Sequence, residues 1–425
     1  MQALPEKIQE GIFYNKMNEF KKHGNHSYAI FFLRVLNDHD ALQVASSLKK
    51  IWRLYEMLKK GITVELPHSR VPSGSISILI GFGSEIFRIP KVKKNIPRDF
   101  DGKQFLPALP GNSILQGSGI NYSRYCENVG ISEHIAIQII SETQLATHRA
   151  IVETGNLLTD IKNENKCLQL TKFYTGFQRD DGRSWLGFHD EVSNMKDSKE
   201  RKDAISISRK SNQLKPEDFW TEGGTYMAFL RTQINLNIWN RLARNDQEFI
   251  VGRNKISGSP IIGIDESDRP IPVENSPRSN HTGRYHPRYH DHPDYLKSSS
   301  PSNPRVKSAE RTRALLSQSH IGRVRHISNL SSKDPTSRRI YRQGFEFIDH
   351  PYDENSPLRV GQNFTSFQND PKRLLFILTD PRWMGKTNFG GPPGLLPQEL
   401  LSVTSAGMFF VPAKEKPFPG ASIFG

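Results

Sequence analysis

Three short stretches carry the side chains best suited to chemistry. SQSHIGRVRHIS contains His320 and His326, RRIYRQGFEF contains Arg342, and GFQRDDGRSWLGFHDEVSN, dense in Gly, Trp, Phe and acids, contains Asp190. Such residue types ligate metals, steady anions and carry protons. Singly, none is specific: a lone histidine is most often a satisfied structural residue, and an aspartate in such a segment is most often a cap or turn residue.

The elements that must position them can be read from hydrophobic period. Ser27 to Val35 is an apolar run of strand length, and in DALQVASSLKKIWRLYEMLKK the residues Ala41, Val44, Leu48, Ile51, Tyr55 and Leu58 share one helical face. Asp40 is the expected N-cap of that helix and Gly61 its C-cap. Ser75 to Phe82 alternates as a strand, HIAIQIIS alternates again, and SETQLATHRAIVETGNLL reads as a helix capped by Ser141. Strand, helix, strand, strand, helix predicts an α+β layer with helices on one face of an antiparallel sheet. The second half repeats it: a strand at Thr225–Gln233, a helix over Leu236–Ala243, and strands at Arg373–Thr379 and Gly407–Pro412.

With 425 residues the chain exceeds the usual single core. The expected division is an N-terminal extension over 1–24, a first domain over 25–162 and a second over 163–425. Inside the second lies an irregular Pro/His-rich excursion at about 260–304, with His281, His286, His290 and His292 among eight prolines in the 45 residues from Pro260 to Pro304, and it reads as a solvated loop. Cys126 and Cys167 are too few for a disulfide framework and lack the paired spacing of a zinc site. No run approaches the roughly 18 apolar residues of a membrane span, and the opening residues lack a secretory apolar segment. A cytoplasmic protein without a membrane partner is the expectation.

Net charge is +14, which calls for an anionic partner. From Arg305 to Arg342 there are ten Lys/Arg against two acids, so more than half the excess lies in that segment. It lacks a recognition-module signature and interleaved stacking aromatics, so nucleic acid is not the expected partner. A non-enzymatic nucleic-acid-binding protein using residues 305–342 is the rival reading.

Taken together and in this order, these motifs resemble the dye-decolourising peroxidase (DyP-type) family. LGFHDEVSN resembles its glycine–x–x–aspartate–glycine signature, the segment from Gly223 to Pro260 its strand–helix segment ending in a glycine–arginine–x–lysine turn, SHIGR its proximal histidine segment and RRIYRQGFEF its distal arginine segment. The detailed resemblance runs from about Phe173 to the C-terminus. It implies two ferredoxin-like α+β domains, with haem b held mainly by the C-terminal one.

Residue by residue, the resemblance implies that His320 is the axial iron ligand, with His326, six residues on, as the local competitor; it names no hydrogen-bond partner for that ligand, for which Glu399 is only a nominal choice. It implies Asp190 as the distal proton carrier, Arg342 as the distal cation that also reaches a haem propionate, and Leu374 and Phe376 as apolar cover. Ordinary core is the competing reading for those two. Glu191 stands where the family has glycine after the aspartate, and Gly322 where it often has arginine. Trp185, Trp239, Trp383 and Tyr341 are aromatic residues through which electrons could reach a surface, although most such residues are packing. The implied activity is peroxidase: hydrogen peroxide oxidises the haem, and dyes, phenols or other organic donors return the electrons singly. A haem-handling protein with weak peroxidase activity is the nearer alternative, and homo-oligomerisation is compatible with either.

Overall fold

The computed structural model describes residues 7–12, 27–36, 39–66, 68–99, 102, 122–129, 133–160, 166–189, 194–195, 198–210, 213–256, 258, 261–264, 270–272, 319–320, 339–351, 354, 358–378 and 400–425. In chain order these form β1 (Ser27–Val35), α1 (Ala41–Lys59), β2 (Ser77–Phe82), β3 (Tyr122–Asn128), β4 (Ile135–Ser141), α2 (Gln144–Thr159) and β5 (Leu168–Phe177). There follow α3 (Ser198–Ile205), β6 (Thr225–Ile234), α4 (Leu236–Trp239), α5 (Arg244–Val251), β7 (Ile261–Ile264) and β8 (Pro270–Pro272). The last are β9 (Tyr341–Asp349), β10 (Arg359–Gln368), α6 (Lys372–Leu378), β11 (Leu401–Val411) and α7 (Ala421–Phe424).

Among the described residues the main sheet has nine strands in the order β2-β4-β1-β5-β9-β10-β6-β11-β3, and β2 also pairs with β11. Its two halves, β2-β4-β1-β5 and β9-β10-β6-β11, show the same order when each is numbered from its first strand. This is the α+β repetition expected from the sequence. β5 lies beyond the 162/163 division yet pairs with β1 from Ser27↔Phe177 to Val35↔Leu168. The first half-sheet therefore draws on chain from both sides of that division. The halves meet through one pair at each edge, Phe177↔Glu346 and Phe410↔Phe82, so the sheet closes on itself.

Closure explains why Tyr28–Leu33 is an unbroken apolar run: both faces of β1 are covered. Ala29, Phe31 and Leu33 face α1 and α2, whereas Tyr28, Ile30 and Phe32 face inward, where Phe229, Phe345, Phe367 and Phe409 meet them. A third apolar layer lies outside the second half, where Trp239, Ile250, Leu374 and Ile377 cover Ala228, Leu230, Ala406 and Met408. Each large buried side chain contributes about 1.5–3 kcal/mol.

The cap at Asp40 forms as expected, its carboxylate accepting from Leu42 N and Gln43 N, and Gly61 follows the C-cap Lys60. Four expectations are corrected. The α2 cap is Thr143, whose hydroxyl accepts from Ala146 N, because Ser141 is still in β4. The helix expected over Leu236–Ala243 ends at Trp239 as α4, and a separate helix, α5, starts beyond that range at Arg244. β7 and β8 pair within the excursion at 260–304; its four histidines lie outside the described residues. The Arg373–Thr379 strand is the helix α6, started where Asp370 Oδ1 accepts from Lys372 N at 2.7 Å. An apolar run this short fits either period.

Residues 8–12 fill the seam. Just past the Phe82–Phe410 pair, Gln9 Nε2 donates to Ile80 O at 3.1 Å and Pro412 O at 2.9 Å, while Ile80 N donates back to Gln9 Oε1 at 3.0 Å. A Cβ on Gly11 would lie 2.7 Å from the Leu79 Cβ, so only glycine allows this approach. Inside, Gln343 Nε2 donates to Ile12 O at 2.7 Å and Gln138 Nε2 to Gln343 Oε1 at 3.0 Å. No helix among the described residues is long and apolar enough to cross a membrane.

Candidate functional site

Arg342 lies on β9 with its backbone paired in register to Ser366 of β10, Ser366 to Ala228 of β6, and Ala228 to Met408 of β11. Register partners in an antiparallel sheet point the same way. Arg342 is therefore on the face that carries Ala228 and Met408, the face packed against Leu374. The next row, Gly344, Phe364, Leu230 and Ala406, lies on the same face. Two of the four residues in each row are small, Ser366 and Ala228 in the first and Gly344 and Ala406 in the second. Ser366 Oγ is buried there without a hydrogen-bond partner among the described residues.

The outer edge of β9 is satisfied piecemeal. Glu346 pairs with Phe177, Gly344 O accepts a long hydrogen bond of 3.5 Å from Gln178 Nε2, and both backbone groups of Arg342 meet the side chain of Asn194. Asn194 Nδ2 donates to Arg342 O at 2.7 Å and Arg342 N donates to Asn194 Oδ1 at 3.2 Å. Trp185 adds two more ties, from its N to Glu346 Oε2 and from its Nε1 to Phe347 O, each 3.2 Å. The segment read from the sequence as carrying Asp190 is thus laid along the strand carrying Arg342.

That segment is also tied to the Gly252–Lys255 turn. Arg183 Nη1 donates to Gly187 O and Lys255 O, both at 2.6 Å, and its Nη2 to Ile256 O at 3.0 Å. Gly187 has φ +83°, and a Cβ there would meet Lys255 Cε at 2.5 Å. The Lys255 ammonium donates to Gln247 Oε1 and lies 5.8 Å from the Phe188 and Trp239 ring centres. Burial, then the Arg244 charge, lowers its pKa.

His320 is partly buried and helical, next to the fully buried Ser319. Leu374 is 1% exposed in the outer apolar layer, on a helix instead of the expected strand. Phe376 is on the same helix, and its side chain lies outside the described residues. So do Asp190, Glu191, Gly322, His326, Trp383, Glu399 and the basic segment apart from Ser319, His320 and Arg339–Arg342. Trp239 is buried, donating to Leu186 O at 3.0 Å, Trp185 is half-buried, and Tyr341 is buried facing inward. Burial raises the Tyr341 phenol pKa. No cluster of three or more His, Cys, Asp or Glu able to hold a metal occurs among the described residues.

Asn194, Arg183 and Ser366 were not singled out from the sequence. The available signal for Asn194 was its place at the end of LGFHDEVSN, directly before a methionine that proves to be buried.

The family description "Dyp-type peroxidase, C-terminal" matches residues 181–416. Deferrochelatases from two Escherichia coli strains are 31% identical over 85 residues, a stretch that spans only 20% of this chain and 20% of theirs. Among solved structures, DtpA of Streptomyces lividans in an oxyferrous/water mixed complex is similar over 100% of this chain and 98% of its own, at 17% identity and a TM-score of 0.66. A DyP-type peroxidase of Streptomyces coelicolor is similar over 100% of both chains, at 17% identity and a TM-score of 0.65. A single-residue variant of Rhodococcus jostii DypB in complex with heme is similar over 91% of this chain and 93% of its own, at 17% identity and a TM-score of 0.56.

Proposed function

Because the chain belongs to the Dyp-type peroxidase family, we propose that it is a haem-dependent peroxidase acting on hydrogen peroxide and on organic one-electron donors such as dyes and phenols. The observation that carries this reading is the placement of Arg342 on the small-residue face that shares the Leu374 layer, beside the buried hydroxyl of Ser366. The residue types present fit haem b: an imidazole able to ligate iron and a fixed cation for anionic groups, next to an apolar layer that keeps water out.

Haem would supply the two-electron chemistry with peroxide and the one-electron chemistry with organic donors, while the residues of this chain would hold it and handle the protons. His320 would hold the iron through one ring nitrogen, which must be unprotonated to ligate. Asp190 takes the proton from one peroxide oxygen and returns it to the oxygen that leaves as water. Arg342 favours the ionised form of Asp190 and stabilises the negative charge that grows as the O–O bond breaks. Leu374 and Phe376 exclude water from that chemistry.

Protein purified with haem is expected to show a Soret band that His320→Ala weakens or shifts. Asp190→Asn is expected to slow peroxide-dependent dye bleaching by about 10²-fold or more. Full activity in both variants overturns the assignment. The deferrochelatase match favours a second reading, haem handling with weak peroxidase activity, which haem occupancy without peroxide turnover would establish.

A further inference from the structure

We infer that Asn194 is a positioning residue of this site: its amide fixes the Arg342 backbone, and so the origin of the guanidinium, at a set offset from the segment carrying Asp190. The inference rests on the peroxidase reading. Asn194 is 6% exposed, and the two hydrogen bonds of its single side chain close both backbone groups of one residue, as a neighbouring strand would.

The chemistry of the contact selects asparagine. Arg342 O can only accept and Arg342 N can only donate, so the partner must offer a donor and an acceptor at one end of a short side chain. Alanine offers neither, an ionised aspartate lacks the donor, and glutamine is a methylene too long. The next residue, Met195, is buried in the inner core that also contains Tyr341, the strand neighbour of Arg342. The Asp190 segment is thereby anchored at two adjacent points, one polar and one apolar. Asp190 is four residues from Asn194, a stretch that reaches at most about 14 Å when extended. A clamp this close limits how far the carboxylate and the guanidinium can drift apart.

The test uses full-length Asn194→Ala and Asn194→Asp, with and without haem. In haem-free protein, deuterium exchange in peptides containing the Arg342 amide is expected to accelerate in Asn194→Ala. In haem-loaded Asn194→Ala the Soret band is expected to persist, kcat/KM for peroxide to fall about 10- to 100-fold, and KM for the dye to stay unchanged. Combined with Arg342→Ala, the loss is expected to be less than additive.

Asn194→Asp recovers a donor only when its carboxyl is protonated, and burial favours that form. Its activity relative to wild type is therefore expected to rise as pH falls, a signature that a purely structural role would not give and that remains readable if the alanine variant folds poorly. Unchanged exchange at Arg342, additive losses, or a flat relative pH profile overturns the role. A wild-type protein without peroxide turnover overturns the peroxidase reading and this role with it, while exchange still decides whether the clamp exists.

Discussion

His189 stands directly before Asp190, half-buried. Burial first, then the Arg183 charge, lowers its pKa below the usual imidazole value, against the opposing pull of the Ile256 backbone and Asp181. A histidine lowered in the folded state binds fewer protons there than when unfolded. Its contribution is complete above the unfolded value, about 6.5, and is lost as pH falls from there through the folded value. Urea unfolding at pH 7.5 and 5.5 is expected to show a larger loss on acidification for the wild type than for His189→Gln; equal losses would rule His189 out as the cause. At this scale the sequence was most readable where a residue sits in a recognisable motif. Asp190, His320 and Arg342 stood out only through the resemblance of their segments to family motifs, since the chain has 44 acids, 58 Lys/Arg and 14 histidines. Asn194 did not, because its work is done on a backbone whose position only the folded strand reveals.

Elements were legible where the buried positions are apolar and opaque where buried polar residues break the pattern. The alternation of β4 and the helical stripe of α1 stand out in the sequence, whereas β9 and β10 were not identified. Their inward positions include Gln343, Asn363 and Thr365, all buried, which breaks the apolar pattern. The same layer buries Arg231 of β6. Its guanidinium donates to Asn363 Oδ1 and Asp349 Oδ2, both at 2.6 Å, and lies 3.6 Å from the Phe347 ring centre. Burial lowers the Arg231 pKa, and Asp349 opposes that shift. Removing one partner of a buried pair leaves a charge without compensation, whereas removing the charge itself does not. Asp349→Ala is accordingly expected to cost about 2–4 kcal/mol in denaturant unfolding, and Arg231→Met less. A larger loss for Arg231→Met would mean that the pair is net stabilising.

At the scale of the whole molecule, the repeated α+β halves could be read from hydrophobic period, but their joining could not. Closure rests on single residue pairs and on Gln9, a polar residue in a segment with no strong pattern. Gln9→Ala leaves Ile80 N, Ile80 O and Pro412 O without their partner. An orphaned buried group costs about 1–3 kcal/mol, so a loss of at least about 2 kcal/mol is expected in denaturant unfolding. A loss below about 0.5 kcal/mol would mean that the seam holds without it.

The seam also sets an order in time. β1, β2, β4 and β5 lie between residues 27 and 177, so they can pair while the ribosome is still at work on the second half. Gln9 is made before any of them, yet one of its partners, Pro412, is synthesised 403 positions later. The earliest described turn can therefore pair with β2 early, yet completes its contacts only once Gln343 and Pro412 have been made.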